Sequence, residues 1–472
     1  MPRYPVVRFA FAFVLLLFVA ATARANTRCV NPGGTDGCFA TIQAAVNASI
    51  DFDTIQIAAG TYNEKVNMQP PNNKWLTIQG AGAEKTIVDG TGLGPALAPV
   101  FQFATVGNNP LSATLSHMTI RGGYRGVDTG RATRITLSNL VIRDNGPGSG
   151  AGVFANSNFV TIINSVIRDN HANDAFFGCD GSGGAGGGIG AFCGGAFYTI
   201  INSAIVNNTA RFGGGAAFVN GFQTILNSTF SGNQATDPSG IGAAMMSFAD
   251  RTYISNSTIA NNPVRPGGAA LALFSSYNEL RANLLQDNPG GNCLPVPGVT
   301  ITSAGYNVID DGTCAATGPG DLENTSAVLG PLQNNGGPTP THALEPGPGV
   351  DHLAASICPA PATDQRGVER AQGAACDAGA FEAVPLTAEE LLETLLDLVD
   401  DVEPSYGLRA FARMAQVALQ ADRPEDACAA LGLLQAQVDR KADKPGSVKL
   451  SAAEAAAITE ANAAVRAALG CS

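Results

Sequence analysis

Beyond its first twenty-five residues the chain has no apolar run long enough to span a bilayer, no Cys-x-x-Cys pair and a single tryptophan, Trp75. The first absence excludes a later membrane helix. The second argues against structural zinc, which needs clustered ligands, and the four histidines (117, 171, 342 and 352) make no tight cluster with the cysteines either. Charge is scarce too, at 14% of residues. Against 56 glycines and many asparagines, this composition describes short strands and tight corners, not a helical globule.

What is present begins with a leader. Arg3 and Arg8 precede an unbroken apolar stretch, residues 9–21, followed by Ala23-Arg24-Ala25. That pattern predicts a secretory signal peptide over residues 1–25, a mature chain starting at Asn26, and a secreted or cell-surface location. No cysteine immediately follows the cleavage point, so a lipid anchor there is not expected. Ten cysteines suit an oxidising compartment. Connectivity is not deducible from sequence alone, but nearest-neighbour pairing leaves none over: Cys29–Cys38, Cys179–Cys193, Cys293–Cys314, Cys358–Cys376 and Cys428–Cys471. The formal charge is −12, and loss of Arg3, Arg8 and Arg24 with the leader takes it to about −15. Such a surface repels nucleic acid and anionic bilayers, and disfavours acidic glycans unless a divalent cation bridges them.

The chain repeats itself. A small polar residue recurs at Ser116, Asn139, Asn164, Asn202, Asn227, Asn256 and Asn283, in contexts such as TLSNLVIRDN, TIINSVIRDN and TIINSAIVNN. The steps are close to 25 residues, and the one long step holds the glycine-rich insertion 171–195. A second short strand after a glycine cluster follows each unit, as in GAGVFA and GGGAAFV. This period predicts a mainly β chain folded as a right-handed parallel β-helix, a single-stranded solenoid with stacked coils. Alternation in I-x-N-S-x-I sends Ile and Val inward. Asn164 then reads as a rung of a stacked amide ladder and Asn170 as a corner.

Residues 41–49 (TIQAAVNAS) form a short amphipathic segment suited to covering the open first coil. With DTIQIAAGTYNEKV, LTIQGAG and KTIVDGTG after it, this region resembles the start of pectin-lyase-like β-helix proteins, including a pectinesterase-like element at Gly60-Thr61-Tyr62-Asn63-Glu64. The esterase resemblance goes no further. The Q-D-T-L and D-F-I-F-G elements and the Arg-Pro-Trp segment expected of pectinesterases are missing, so esterase chemistry is not expected.

Two places could carry binding or chemistry. Arg143-Asp144 and Arg168-Asp169 occupy equivalent positions in successive coils and should stack on one face. Arginine can stabilise charge beside a uronate carboxylate, and stacked aspartates could share calcium, the only cofactor the sequence suggests. Solvated Arg–Asp corners are the plainer reading. The insertion is the other place, with Asp174 and Asp180 in a loop stapled by Cys179–Cys193. Its glycines have no βαβ context and are not a phosphate cradle. No Ser/His/Asp or Cys/His nucleophile set emerges, so no catalytic residue is assigned.

Phe230-Ser231-Gly232-Asn233 and the GGGAAF-type stretches resemble the repeats of polymorphic-outer-membrane-protein-like β-helices. From Leu329, LGPLQNNGGPTPTHALEPGPGVDHL and TDQRGVERAQGAACDAGAFE resemble the choice-of-anchor Q domain of secreted bacterial proteins, departing from it at Gly349-Val350-Asp351. From residue 387 the period changes to i, i+3, i+4, with capping boxes at Thr387/Glu390 and Ser451/Glu454 and Pro424 in a first turn. This predicts a small C-terminal α-helical bundle that resembles the FIMAH domain, with Leu433-Leu434 in place of its Phe-Ile pair. The expected organisation is a signal peptide (1–25), a β-helix with N-terminal cap (26–325), a choice-of-anchor Q-like segment closing it (326–384) and a four-helix FIMAH-like domain (387–472). The resemblances imply a secreted or surface protein that binds, adheres to or scaffolds extracellular polysaccharide or other cell-surface material. The alternative is a polysaccharide lyase or glycoside hydrolase working in a groove of the β-helix.

Overall fold

The computed structural model describes residues 25–68, 74–94, 97–103, 111–130, 133–156, 159–173, 185–191, 195–238, 241–402, 407–442 and 450–471. The expected leader up to residue 24, Asp174, Asp180 and the Cys179–Cys193 pair lie outside the described residues. The chain divides into two units after Ala383.

In the first unit the described strands form three long parallel sheets. The first has eleven strands, from Thr27–Val30 to Ile301–Gly305; the second has ten, from Gly60–Tyr62 to Val308–Ile309; the third has eight, from Val66–Asn67 to Ala269–Leu273. Each strand pairs in parallel with its equivalent one coil away, which makes the unit a parallel β-helix. Alternation decides what faces inward. On the first sheet Leu137, Ile162, Ile200 and Ile225 stack in one buried row. On the second, Ile120, Ile142, Ile167, Ile205 and Phe230 do the same.

The expected cap over the first coil is a helix, α1 (Ile42–Ala48), whose N-cap Thr41 accepts a bond from Ala44 N–H. It buries Ile42, Ala45 and Val46. Glu64 of the pectinesterase-like element serves this helix: its carboxylate accepts the N–H groups of Ile42 (2.8 Å) and Gln43 (3.0 Å). That satisfies orphan donors at a helix start and gives the residue a structural role.

The two asparagines of the repeat exchange the roles expected for them. Asn164 has φ 49°, as have its equivalents Asn202 (50°), Asn227 (46°) and Asn256 (49°). These are left-handed corners, a conformation that Asn tolerates better than most residues. The serine after each corner makes a ladder: Ser165 N–H donates to Ser203 Oγ, Ser203 to Ser228 and Ser228 to Ser257, each at 3.2 Å. The amide ladder runs through Asn145, Asn170, Asn208, Asn233 and Asn262, all buried. The corner also falls one residue away from the repeat's polar position at both ends. The corners there are His117 and Ala282, each one residue away from Ser116 and Asn283, and Asn283 joins the serine ladder through Ser257 N–H.

Residues 327–383 turn back along the outer face of the second sheet as a strap. They contain two antiparallel pairings, Val328–Gln333 with Thr341–Glu345 and Leu353–Ala354 with Ala375–Cys376. Leu344, Leu353, Ala378 and Phe381 of the strap pack with Ala282, Leu284 and Val308 of the solenoid.

The second unit contains α2 (Ala388–Asp400), α3 (Leu408–Gln420), α4 (Pro424–Ala442) and α5 (Ala452–Ala468). Both capping boxes form. Leu392, Leu395, Leu408, Leu431, Leu434, Ile458 and Val465 make its own core. Four of the expected disulfides are present: Cys29–Cys38, Cys293–Cys314, Cys358–Cys376 and Cys428–Cys471.

Candidate functional site

The paired arginines do stack. Arg143 ends the strand Val141–Arg143 and lies in register with Arg168 of Val166–Arg168. Arg121 extends the row by one coil on the other side, in register with Arg143. Each guanidinium meets a carboxylate: Arg121 meets Asp89 at 2.8 Å, Arg143 meets Asp144, and Arg168 meets Asp169. The sequence motif reveals the last two pairs and misses the first, because Asp89 comes from the preceding coil. The signal was the arginine of TIRGG at the matching place. Asp144 (φ 54°) and Asp169 (φ 55°) are themselves left-handed corners, a place held in later coils by Asn207, Gly232 and Asn261. Their position is therefore dictated by backbone geometry, and each carboxylate is directed to the guanidinium one residue before it. Burial works to raise the Asp89 carboxyl, but bonds from Thr91 and Arg121 outweigh it and hold the group below its usual range. Among the described residues no three His, Cys, Asp or Glu side chains group so as to hold a metal ion.

The row borders a cleft of ≈ 460 Å³. Its floor is the outward edge of the second sheet, Ile87, Thr119, Val141 and Val166, with Arg143 and Arg168 along it. The opposite wall is the strap loop at 334–340, including Pro338, Thr339 and Pro340. Sequence reasoning could not supply that wall, which comes from about two hundred residues further along the chain.

The strap is locked in place by two segments of its C-terminal part, Asp364-Gln365-Arg366-Gly367 and Gly379-Ala380-Phe381-Glu382. Thr229 donates to Gln365 Oε1 at 2.7 Å, while Gln365 Nε2 donates to Thr339 Oγ1 at 2.9 Å. Arg366 pairs with Asp364 and lies 3.5 Å over the Phe381 ring. Arg370 and Glu382 form a fully buried ion pair at 3.1 Å, and Arg370 also donates to Asn227 Oδ1 at 3.1 Å. His342 sits between strap and solenoid: Nδ1 contacts Gly330 O at 2.8 Å and Nε2 contacts Ser231 Oγ at 3.0 Å. Because a carbonyl only accepts, the ring proton is on Nδ1 and the serine donates. Gln365 and Arg366 thereby hold the cleft wall, through Thr339, Pro340 O and Asn335 O.

The outer face of the first sheet carries a different row. Arg134, Phe159 and Phe197 are in register on successive strands, and so are Phe222, Arg251 and Tyr277. The rings of Phe159 and Phe197 stack at 4.7 Å, and Phe222 meets Phe197 edge-on at 5.2 Å. Arg134 covers Phe159, and Arg251 covers Tyr277. Phe159 and Phe222 remain 49% and 48% exposed.

No family profile matches the chain, and no curated protein matches it. Among solved structures it is similar to pectin methylesterase PemA from Erwinia chrysanthemi, at 9% identity over 65% of this chain and 83% of that one, with a TM-score of 0.26. It is also similar to YbhC of Escherichia coli, at 12% identity over 59% and 78%, TM-score 0.28. A third is the A-module of mannuronan C-5 epimerase AlgE4 from Azotobacter vinelandii, at 14% identity over 60% and 84%, TM-score 0.31. The parallel strand pairing, rather than these distant likenesses, defines this chain as a parallel β-helix with a helical second unit.

Proposed function

We propose that this protein is exported to the cell exterior and acts there as a carbohydrate-binding scaffold, with the cleft beside Arg143 and Arg168 as its binding site. The observation that carries the reading is the make-up of that cleft. Apolar Val141 and Val166, hydroxyl-bearing Thr119 and two guanidiniums line one concavity on a rigid sheet. A sugar presents the same mixture of C–H faces and polar edges, and a volume of this order suits a small ligand or one or two units of a chain. Disulfides and the leader support export. In line with the choice-of-anchor Q and FIMAH resemblances, the strap and the helical unit serve as surface-attachment or spacing modules.

The test is a binding panel of extracellular polysaccharides against purified residues 26–472, with release of unsaturated or reducing oligosaccharides followed in parallel. Binding without release, weakened about tenfold or more by Arg143→Gln with Arg168→Gln, is the expected result. Release of oligosaccharides would establish the lyase or hydrolase alternative instead. The absence of both binding and release would overturn the carbohydrate reading.

A further inference from the structure

We infer that the outer face of the first sheet is a self-complementary surface on which two copies of this chain pair, with their solenoid axes antiparallel. The order of side chains along one row carries the inference.

Successive strands present, in register, Arg134, Phe159, Phe197, Phe222, Arg251 and Tyr277. Phe197 is half-buried and the other five are exposed. At about 4.8 Å per coil the row is about 24 Å long. A two-fold axis along the strands, between Phe197 and Phe222, lays this row on the same row of a second copy in reverse. Arg134 then meets Tyr277 of the second copy, Phe159 meets its Arg251, and Phe197 meets its Phe222. Each contact is made twice: two kinds of cation–π pair and one aromatic pair, with no like charges opposed. Laid in the same direction instead, the rows would set Arg134 on Arg134 and Arg251 on Arg251.

Charge obeys the same symmetry. Over these coils Arg134 and Arg251 stand against Asp250 and Glu279, while Arg281 is committed to Ile357 O at the strap. The face is therefore neutral in sum but uneven along its length. Arg134 is at one end, exposed and in no ion pair among the described residues. Glu279 is at the other end, where it accepts the Tyr277 hydroxyl. Reversed pairing brings the Arg134 of each copy to the Tyr277–Glu279 end of the other. Complementary charge across the contact favours encounter in this orientation over the parallel one.

Composition and size fit a modest interface. Aromatic side chains and arginine are enriched where proteins associate and lysine is depleted, and none of these strands contains lysine. Phe248, 40% exposed and stacked on Phe274 at 4.4 Å, adds apolar surface just before Arg251. A strip of about 24 by 17 Å covers roughly 400 Å² per copy, about half of a standard interface, so the dimer is reversible and micromolar. The cleft beside Arg143 and Arg168 belongs to the second sheet and takes no part, so the dimer and the carbohydrate reading can fail separately.

Sedimentation equilibrium of purified residues 26–472, from about 1 to about 300 μM, tests the pairing. The expected result is a monomer–dimer equilibrium that stops at the dimer, because a two-fold contact uses the same face of both copies. Phe159→Thr/Phe222→Thr should weaken it about tenfold or more, and Arg134→Glu about tenfold. Arg134→Glu/Glu279→Arg exchanges the charges at both ends of the contact and should bring association back towards that of the unmodified chain. A variant that merely failed to fold could not show that recovery. Monomer throughout the range, growth beyond the dimer, a dimer indifferent to the phenylalanine change, or no recovery in the exchanged variant would each overturn the inference.

Discussion

The side-chain amide of Asn170 donates to the side-chain carbonyl of Asn208 at 3.0 Å, and the backbone N–H of Asn170 reaches the same oxygen at 3.1 Å. Asn170 in turn accepts both the side-chain and the backbone N–H of Asn145. Each rung is thus satisfied by its neighbours and by backbone carbonyls, as Asn170 Nδ2 also donates to Ile142 O and Arg168 O at 3.0 Å. Asn170→Ala should cost about 1–3 kcal/mol, since it strands the buried backbone N–H of Asn145, whose side-chain amide keeps Ile120 O and Arg143 O. Asn164→Gly, at a left-handed corner, should be close to neutral, and Asn164→Ala should cost about 1–2 kcal/mol. Urea denaturation of the three variants separates rung from corner.

His342 and Ser231 tie the strap to the solenoid. Burial pushes the His342 imidazole below its ordinary value, against the Gly330 bond and the Asp287 charge. The folded state then binds fewer protons than the unfolded one, so this contribution is present above about pH 6.5 and is lost as pH falls below it. Replacing His342 with Gln should remove that acid-side loss, measured as the change in urea midpoint between about pH 7.5 and 5.5.

Asp377 has the opposite sign. Burial, with Glu382 and Asp351 nearby, raises its carboxyl to about 6, against bonds from Ala383 and Asp351 N–H. The folded state binds the extra proton, so this group stabilises fully below about pH 4 and loses that contribution, of order 2–3 kcal/mol, as pH rises to about 6. Asp377→Asn should flatten the stability profile across that window, in the direction opposite to His342→Gln.

Arg370 and Glu382 are both fully buried, so removing one leaves the other uncompensated. Glu382→Gln should destabilise the first unit by about 3–5 kcal/mol, and Arg370→Met/Glu382→Leu by less than either single change. A double-mutant cycle by denaturant unfolding measures this coupling.

Within the helical unit, Cys428–Cys471 closes a loop with a sequence separation of 43. Its removal by Cys428→Ser/Cys471→Ser should cost up to about 4 kcal/mol, and Thr387→Ala about 1 kcal/mol through the lost cap. In calorimetry of the full chain both should shift the helical unit's transition and leave that of the solenoid, which has a separate core.

The β-helix and the helical bundle were legible because their signals are local. Inward Ile162 and Ile200 differ from outward Thr161 and Thr199 by one step of a period-2 strand, and the capping boxes lie within four residues. The site was legible only in half. Arg143 and Arg168 carry a visible repeat, while Arg121–Asp89 and the cleft wall at Pro338–Pro340 do not, because their partners come from other coils or from the strap.

The roles of Asn164 and Asn170 mark the same boundary. Sequence alone determined that two asparagines recur per coil, and that one must turn the chain and one must stack. Which did which depended on φ at each position and on the burial of the neighbouring coil. The same holds for Phe159, Phe197 and Phe222: alternation puts each on the outside of its own strand, but only stacking of coils brings them between Arg134 and Arg251. Side-chain direction is set by the residues next in sequence, whereas a row across coils is set by register between segments 25 to 38 residues apart, which no short-range pattern encodes.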